Sequence, residues 1–217
     1  MEQNSISQDA YEKLLKAILP IILKNGMKVT TMDKVASTLS MSKRTLYEIF
    51  ESKEEMLKAV IGYYHNEHIR TLTRIFNESE TIIEAFYHIL KTLQRVMEQA
   101  SSDFFRDMDC QYAKLRPVYD DQSDTWQTNM LKAIEEGLKQ GVFRTDVNYP
   151  IILRMFRIQM ESLKRMEEFL PSDVTLSEAF DTVSMSFLRS IASQKGIVIL
   201  EKVRKEDLEE KSQNKTK

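Results

Sequence analysis

Hydrophobic residues recur every three or four positions along most of the chain, with polar residues between them, and this spacing is typical of amphipathic α-helices. Glycine and proline, which end helices and form turns, account for only five and four of the 217 residues. Such a small number of turn residues favours long helices over a sheet. The pattern therefore predicts an all-α protein with about nine helices. We expect them over residues 8–25, 32–39, 43–50, 53–77, 80–100, 102–115, 121–140, 149–169 and 175–195.

Residues that cap helices mark several of the predicted starts. Thr30 precedes Asp33 in a Thr-x-x-Asp pattern that opens the second helix. Ser42 can cap the third helix, because a serine side chain can accept one of the free N–H groups of the first turn. Ser52 and Glu55 form a Ser-x-x-Glu capping box before the long fourth helix. The two helices between Thr30 and Ser52 are therefore expected to be short.

Proline and glycine bear on the ends of other predicted helices. Pro20 lies inside the first helix, where a proline costs about 3 kcal/mol, so we expect a kink there or a late start. Gly26 and Gly196 follow the first and last predicted helices, as terminating glycines often do. Thr175 begins another capping box before the last helix. Beyond residue 200 the chain is charged and loses its apolar pattern, which predicts a frayed tail over 201–217.

The two short helices, joined by a three-residue break, fit a helix-turn-helix motif. So few residues hold such a motif together that every buried position must be filled by a suitable side chain. Ala36 is small enough for the two helices to approach closely, and Met41 can fill the turn. The positions predicted to be buried are Val35, Ala36, Leu39, Met41, Leu46 and Ile49. The residues alone leave open an ordinary pair of short helices in a bundle.

The outer face of the second short helix carries the polar residues expected of a DNA-reading helix. The first residues of a recognition helix reach base edges in the major groove, where Lys and Arg donate to guanine. The whole chain has a net charge of −2, but residues 24–53 contain six Lys or Arg against three acids. A local positive excess of this kind attracts phosphate. The candidate DNA-binding residues are Thr30, Thr31, Ser42, Lys43, Arg44, Thr45, Tyr47 and Lys53.

This part of the sequence, roughly residues 8–60, resembles the DNA-binding domain of the TetR family of bacterial transcription regulators. Two residues depart from the family pattern. Ser40 stands where the family usually has glycine in the turn, and a left-handed backbone there would cost about 1–2 kcal/mol. Arg44 replaces a small residue and adds a long cation, which bears on the DNA sequence that is read. The residues that carry the resemblance are Gly26, Thr30-Thr31, Val35-Ala36, Met41-Ser42-Lys43-Arg44-Thr45-Leu46-Tyr47, Phe50 and Ser52-Lys53-Glu54.

The resemblance implies two domains and a homodimer on a palindromic operator. The DNA-binding domain would cover 1–52 and continue into the helix at 53–77, and a helical regulatory and dimerisation domain would cover 53–200. The last two predicted helices form a hairpin whose apolar faces could pair with those of a second copy. The same faces could instead belong to the internal core. The candidate dimer-interface residues are Ile152, Met155, Leu163, Met166, Phe180, Val183, Phe187 and Ile191.

The resemblance also implies a pocket for a small apolar or amphipathic ligand in the larger domain. Seven of the twelve methionines lie between Met97 and Met185, and methionine is an adaptable side chain that suits such pockets. Met and aromatic residues at helical spacing also form ordinary core, and that alternative stays open for each of them. The candidate pocket residues are Met97, Phe104, Met108, Tyr112, Trp126, Met130, Phe156 and Met160.

The sequence offers little support for other chemistry. His65 and His68 lie on one helical face, but no further residue at ligand spacing completes a metal site. Cys110 is the only cysteine and cannot form an internal disulfide, which fits a reducing cytoplasm. No phosphate-binding loop or catalytic motif is present, so we expect no enzymatic activity, cofactor or metal. Neither a run of eighteen apolar residues nor a signal-peptide pattern is present, which favours a cytoplasmic protein.

These observations predict a dimeric DNA-binding transcription regulator, most simply a repressor that a small-molecule ligand releases from DNA. The alternative is a transcription activator or an architectural DNA-binding protein without an inducer. A helical interaction module that no longer binds DNA, and an enzyme, are further alternatives.

Overall fold

The computed structural model describes residues 6–110, 123–163, 170–171 and 173–214. Within these residues the chain forms ten α-helices and no β-strand, apart from a single antiparallel bridge between Phe143 and Ala192. The predicted all-α class is confirmed, and the number of helices is close to the predicted nine. The helices are α1 (Gln8–Asn25), α2 (Met32–Thr38), α3 (Lys43–Ile49), α4 (Lys53–Glu78), α5 (Ile82–Gln99), α6 (Ser102–Cys110), α7 (Ser123–Lys139), α8 (Tyr149–Leu163), α9 (Leu176–Ile191) and α10 (Gln194–Asn214).

Side-chain caps begin several of these helices. The hydroxyl oxygen of Ser42 accepts the backbone N–H three residues later at 3.0 Å, which confirms the predicted cap of α3. Thr175 and Glu178 form the complete capping box of α9. At α2 the cap is Thr31, one residue after the predicted Thr30. The free N–H groups at these helix starts therefore have local partners.

The bounds of α1 agree with the predicted helix, whereas the end of the predicted helix over 175–195 does not. Helix α1 begins at Gln8 and continues through Pro20 to Asn25, so a late start after the proline is excluded. Gly196 does not terminate a helix: α9 ends at Ile191, and Gly196 lies in the first turn of α10. A Cβ atom on Gly196 would overlap the carbonyl oxygen of Val142, so a close backbone approach requires glycine there.

The last helix extends through most of the segment predicted to be a frayed tail. Leu200 and Val203, three residues apart on α10, are both buried in the core of the second unit described below. Lys202 lies one turn from Glu206, with a charged-atom separation of 3.9 Å, and such pairs support a helix weakly. Burial of one apolar face explains why the charged composition does not prevent helix formation here.

The described residues fall into two compact units. The first contains 6–71 and 96–110, and the second contains the remaining described residues. The first unit is larger than the predicted DNA-binding domain of residues 1–52, because it includes more of α4 and also includes α6. Helix α6 packs against α1 within it. The fully buried apolar side chains of this unit include Ile18, Ile22, Met27, Val35, Leu46, Phe50, Met56, Leu57 and Val60.

The second unit has its own hydrophobic core, to which α5 and α7–α10 contribute. Within this unit α8 packs against α9, and α7 packs against α8. Pairs of helices that bury apolar faces against each other are the basic element of an all-α domain. The core residues with at most 2% exposure are Ile83, Tyr87, Ile134, Val142, Phe143, Leu153, Leu188, Ile191 and Leu200.

Candidate nucleic-acid interface

Helices α2 and α3 form the predicted helix-turn-helix and pack against each other. Val35 and Leu46 have no exposed surface, and Ala36 is 3% exposed. The turn between the helices is closed by the backbone N–H of Met41, which donates to the carbonyl oxygen of Ala36 at 2.8 Å. The other three predicted core residues are only half-buried: Leu39, Met41 and Ile49.

The turn contains Ser40, which stands where glycine is usual in this motif. Ser40 has a φ of 52°, and it is the one non-glycine residue with positive φ among those described. Its backbone N–H donates to the carbonyl oxygen of Ser37 at 3.2 Å. A left-handed conformation costs a side-chain-bearing residue about 1–2 kcal/mol. The motif thus keeps its turn geometry without the usual glycine, at some cost in stability.

The start of α3 presents a group of polar side chains to solvent. Lys43, Arg44 and Thr45 are all exposed, and Tyr47 is 45% exposed in the next turn. The hydroxyl groups of Ser42 and Thr45 lie 2.7 Å apart, so the cap residue also fixes a side chain of the exposed face. This face combines cations, hydroxyl groups and one aromatic ring, which are the groups that contact bases and phosphates in a major groove.

Both cations at the start of α3 form ion pairs. Lys43 Nζ lies 2.7 Å from a carboxylate oxygen of Asp33 on α2, and Arg44 Nε donates to Glu48 one turn later at 2.9 Å. The hydrogen bond and the charge of Asp33 raise the pKa of Lys43, so the lysine remains cationic. All four side chains are largely exposed, so water screens these pairs. The acids hold the cations in position and lower the positive potential of the face.

Two of the predicted contact residues have other roles. Thr30 is fully buried, and its hydroxyl donates to the carbonyl oxygen of Gly26 at 2.6 Å. It therefore cannot reach DNA, and we remove it from the candidate set. Lys53 donates from Nζ to the carbonyl oxygen of Lys28 at 2.7 Å, and burial lowers its pKa. Thr31 remains exposed and caps α2.

Sequence analysis missed Asp107 on α6. This residue is 8% exposed, and its carboxylate accepts the backbone N–H of Lys28 at 2.7 Å. The same carboxylate lies so close to Gly26, which has a φ of 79°, that a Cβ atom there would be 2.9 Å from it. Asp107 therefore fixes the backbone that leads into α2. No sequence pattern could indicate this role, because Asp107 and Lys28 are 79 positions apart.

Comparison with known proteins identifies the motif. Residues 14–60 match the family of bacterial regulatory proteins described as the tetR family. This N-terminal part of the chain is similar to the DNA-binding domain of that family. The match covers α1 from Leu14 onward, both helices of the motif and the first turns of α4. The residues that carry the predicted resemblance all lie within it. No curated protein matches the chain.

The fold of the chain is also that of TetR-type regulators. A ketosteroid transcriptional regulator of Mycobacterium tuberculosis is 15% identical with a TM-score of 0.59, over 89% of this chain and 100% of the other. A putative regulator of Saccharomonospora viridis, in complex with choline, is 17% identical with a TM-score of 0.65, over 87% and 100%. Regulatory protein TetR of Rhodobacter sphaeroides is 18% identical with a TM-score of 0.64, over 84% and 98%. No described helix is long and apolar enough to cross a membrane.

The predicted pocket residues that the structure describes are divided between the two units. Met97, Phe104 and Met108 lie in the first unit, where Phe104 is buried. In the second unit, Phe156 is a core residue, and the half-buried Met130 and Met160 pack against the same core. Tyr112 lies outside the described residues, as does the side chain of Trp126. The alternative of ordinary core therefore holds for Phe156.

Several of the predicted dimer-interface residues are buried within the chain itself. Phe187 stacks on Phe156 with ring centroids 4.0 Å apart, so neither ring is free to meet a second copy. Ile152 and Val183 are half-buried against the same core, and Met166 lies outside the described residues. The prediction is wrong for the residues that the monomer itself buries. These are Leu163, Phe180, Phe187 and Ile191.

A different face of α8 exposes apolar side chains. Ile151, Met155 and Ile158 are 56%, 52% and 55% exposed and follow one another at helical spacing along one side of the helix. Met155 is the only member that sequence analysis selected. The same helix buries Leu153 and Phe156 on its core side, so α8 is apolar on two faces. Its exposed face is the better candidate for contact with a second copy.

Proposed function

We propose that this chain regulates transcription by binding a palindromic DNA operator as a homodimer, with α3 of each copy in a major groove. One observation carries the proposal: the start of α3 presents exposed Lys43, Arg44 and Thr45, with the helix fixed in place by the Ser42 cap. Residues at this position of a recognition helix are the ones that reach base edges. Because bacterial DNA lies in the cytoplasm, we also propose a cytoplasmic site of action.

The side chains of this face would have different roles in DNA recognition, some at bases and others at phosphates. Arg44 has the planar donor set that suits the two acceptors of guanine, and 89% of its side chain is accessible, against 57% for Lys43. Lys43 can reach either a base or a phosphate. Tyr47 and Thr31, both exposed, can donate hydroxyl hydrogen bonds to phosphates and so set the register of α3 on the duplex.

We propose that the exposed face of α8 forms the core of the dimer interface. The stripe of Ile151, Met155 and Ile158 is apolar and uncovered, and α9 packs beside α8 as the second helix of a hairpin. Two such hairpins related by a two-fold axis would form a four-helix interface, in which each copy contributes the same surface. Two-fold symmetry of the protein in turn requires a palindromic operator.

We further propose that a small molecule controls DNA binding and that the protein acts as a repressor. The descriptions of two structural neighbours support this proposal. One is a ketosteroid regulator, and the other is a regulator in complex with choline. A ligand shifts a regulator away from DNA only when it binds the DNA-free conformation more tightly. Addition of metabolite extracts to the protein–DNA complex tests this step, and an activator or architectural protein would show no release.

The DNA-binding proposal is tested by fluorescence anisotropy with duplex DNA from the region upstream of the gene. Binding by wild type should weaken steeply as salt rises. The double variant Lys43→Ala with Arg44→Ala should bind roughly tenfold or more weakly and show a smaller salt slope. The matched control, Lys13→Ala with Arg70→Ala, removes one lysine and one arginine from exposed ion pairs of the same unit. Equal losses in the two double variants would refute the assignment of α3.

A further inference from the structure

An open groove lies between α1 and α4 within the first unit, apart from the DNA-reading face of α3. Its volume is about 440 Å³, which is within the range of small-molecule sites. Both helices contribute to its walls, so the fold of the unit forms the groove before any ligand binds. The lining residues that matter for the argument are Tyr11, Glu12, Glu55, Lys58, Gly62 and Tyr63.

No close packing contact within the unit explains why the groove is lined by a glycine. Gly62 lies in the interior of α4, where glycine costs about 1 kcal/mol relative to alanine. Gly137 and Gly196 are required by close contacts, and Gly26 and Gly141 have positive φ. A Cβ atom on Gly62 would meet nothing within 4 Å. The missing side chain keeps the floor of the groove open.

The polar lining of the groove favours a cation. It contains the carboxylates of Glu12 and Glu55 and the single ammonium group of Lys58, which leaves one negative charge in excess. The rings of Tyr11 and Tyr63 add aromatic surface, and a cation over such a ring is attracted by its electron-rich face. Carboxylates and tyrosine rings together are the groups that hold organic ammonium ions.

The tyrosines and carboxylates of the groove influence each other. Burial raises the pKa of Tyr11, and the charge of Glu55 raises it further. Burial likewise raises the pKa of Tyr63, to which the charges of Glu67 and Glu12 add. Both phenols therefore stay neutral and keep electron-rich rings. Both tyrosines and both carboxylates line the same groove.

The groove also borders the end of the recognition helix. The carboxylate of Glu55 accepts the backbone N–H of Glu51 at 2.7 Å, directly after α3. The ring of Tyr11 lies 5.8 Å, centroid to centroid, from the ring of Phe50, which is the C-cap of α3. Glu55 and Tyr11 thus anchor the end of α3. Any molecule that binds these two side chains would therefore contact the anchor of the recognition helix.

We propose that this groove binds a small organic cation, an alkylammonium ion whose charged group contacts Glu12, Glu55 and the tyrosine rings. Its apolar part would lie against Leu15, Ala59 and the open floor at Gly62. This site is separate from the ligand expected in the second unit, and it belongs to the DNA-binding unit itself. A cation there would act on DNA binding from beside α3.

The test is a titration of the full-length, ¹⁵N-labelled chain at constant ionic strength, followed by the amide resonances of Ala59 and Gly62. The probes are n-butylammonium, n-butanol and butyrate, which share an alkyl chain and differ in charge. We expect saturable shifts with n-butylammonium and roughly tenfold weaker binding of the other two. Shifts that do not saturate, or equal affinity for n-butanol, would overturn the proposal.

Three variants locate the site. Glu55→Gln keeps an oxygen acceptor for Glu51 and removes the charge, so n-butylammonium should bind several-fold more weakly. Glu54→Gln is the matched control, because Glu54 is the neighbouring exposed acid and does not line the groove. Gly62→Leu should fill the floor and abolish binding, while Gly62→Ala should retain it. If Gly62→Leu fails to fold, the comparison of Glu55→Gln with Glu54→Gln decides, and equal effects of these two would reject the site.

Discussion

Asp107 on α6 and Lys53 on α4 bind the two backbone polar groups of the same residue, Lys28. The carboxylate accepts its N–H and the ammonium group donates to its carbonyl oxygen, each at 2.7 Å. Lys28 lies in the segment that leads into α2, so side chains from two other helices hold the approach to the helix-turn-helix. The position of the helix-turn-helix thus depends on side chains from outside the motif.

Replacement of Asp107 by alanine should weaken both the fold and DNA binding. The backbone N–H of Lys28 would lose its charged acceptor in this partly buried hydrogen bond, and hydrogen bonds to charged groups contribute about 1.5–3 kcal/mol. Urea unfolding should show this loss, and operator affinity should fall under conditions where the variant is fully folded. Asp107→Asn keeps an acceptor oxygen and should lose less. Asp103→Ala, at an exposed aspartate of the same helix, is the control, and an equal effect there would contradict the role of Asp107.

Replacement of Asp33 by asparagine should strengthen DNA binding several-fold at low salt. Asp33 pairs with Lys43 at 2.7 Å, and the loss of its charge leaves the lysine free to contact DNA and raises the positive potential of the face. The gain should shrink as salt rises, because salt screens exposed charges. Asp9→Asn breaks a similar exposed pair with Lys13 and should leave affinity unchanged. Anisotropy titrations at two salt concentrations measure both variants.

A charge on the exposed face of α8 should shift the protein from dimer to monomer. Ile158→Glu would place a carboxylate in the proposed interface, where a charge without a partner is costly. Light scattering after size exclusion should then give the mass of one chain at concentrations where wild type gives two. Val198→Glu is the control, since Val198 is also an exposed apolar residue, 64% accessible, but lies on α10. A dimeric Ile158→Glu variant would exclude this face.

Stability should fall as the pH drops from about pH 7 to about pH 5, in part because of His68. Burial lowers the pKa of His68 and the charge of His65 lowers it further, so the unfolded chain binds a proton there more readily than the folded chain. The contribution of neutral His68 is complete above its unfolded pKa of about 6.5 and is lost as pH falls through the folded value.

Urea unfolding at several pH values measures this dependence. His68→Gln should flatten the decline in the free energy of unfolding toward acidic pH, because glutamine does not titrate. His88→Gln, at a more exposed histidine of the second unit, should leave the decline as in wild type. A decline of the same size in His68→Gln would show that other groups cause it.

The helix-turn-helix could be predicted because its determinants are close in sequence. The Ser42 cap and the buried Val35, Ala36 and Leu46 all lie within a dozen residues, and helical spacing relates them directly. The burial of Thr30 could not be predicted in this way. Its hydroxyl bonds a backbone carbonyl in a loop, and an exposed threonine would have the same sequence surroundings.

The dimer interface shows a second limit of prediction from hydrophobic periodicity. Helix α8 has apolar residues on two faces, with Leu153 and Phe156 in the core and Ile151 and Ile158 in solvent. Periodicity detects both faces, but it does not tell which one the rest of the same chain covers. That depends on how α9 packs, and the packing of Phe187 on Phe156 decides it.

The ion pairs of Lys43 and Arg44 have a consequence for the search for an operator among the many competing sites of a genome. Each cation carries a neighbouring acid, so the reading face is held less tightly by the backbone of an average DNA sequence. At the correct site, contacts with bases and phosphates can both replace these acids, whereas elsewhere only the phosphates can. Occupancy of the operator in the cell depends on the ratio of the affinity for the correct site to the affinity for other DNA. Asp33 and Glu48 would therefore shorten unproductive encounters and leave more of the protein available to find its own site.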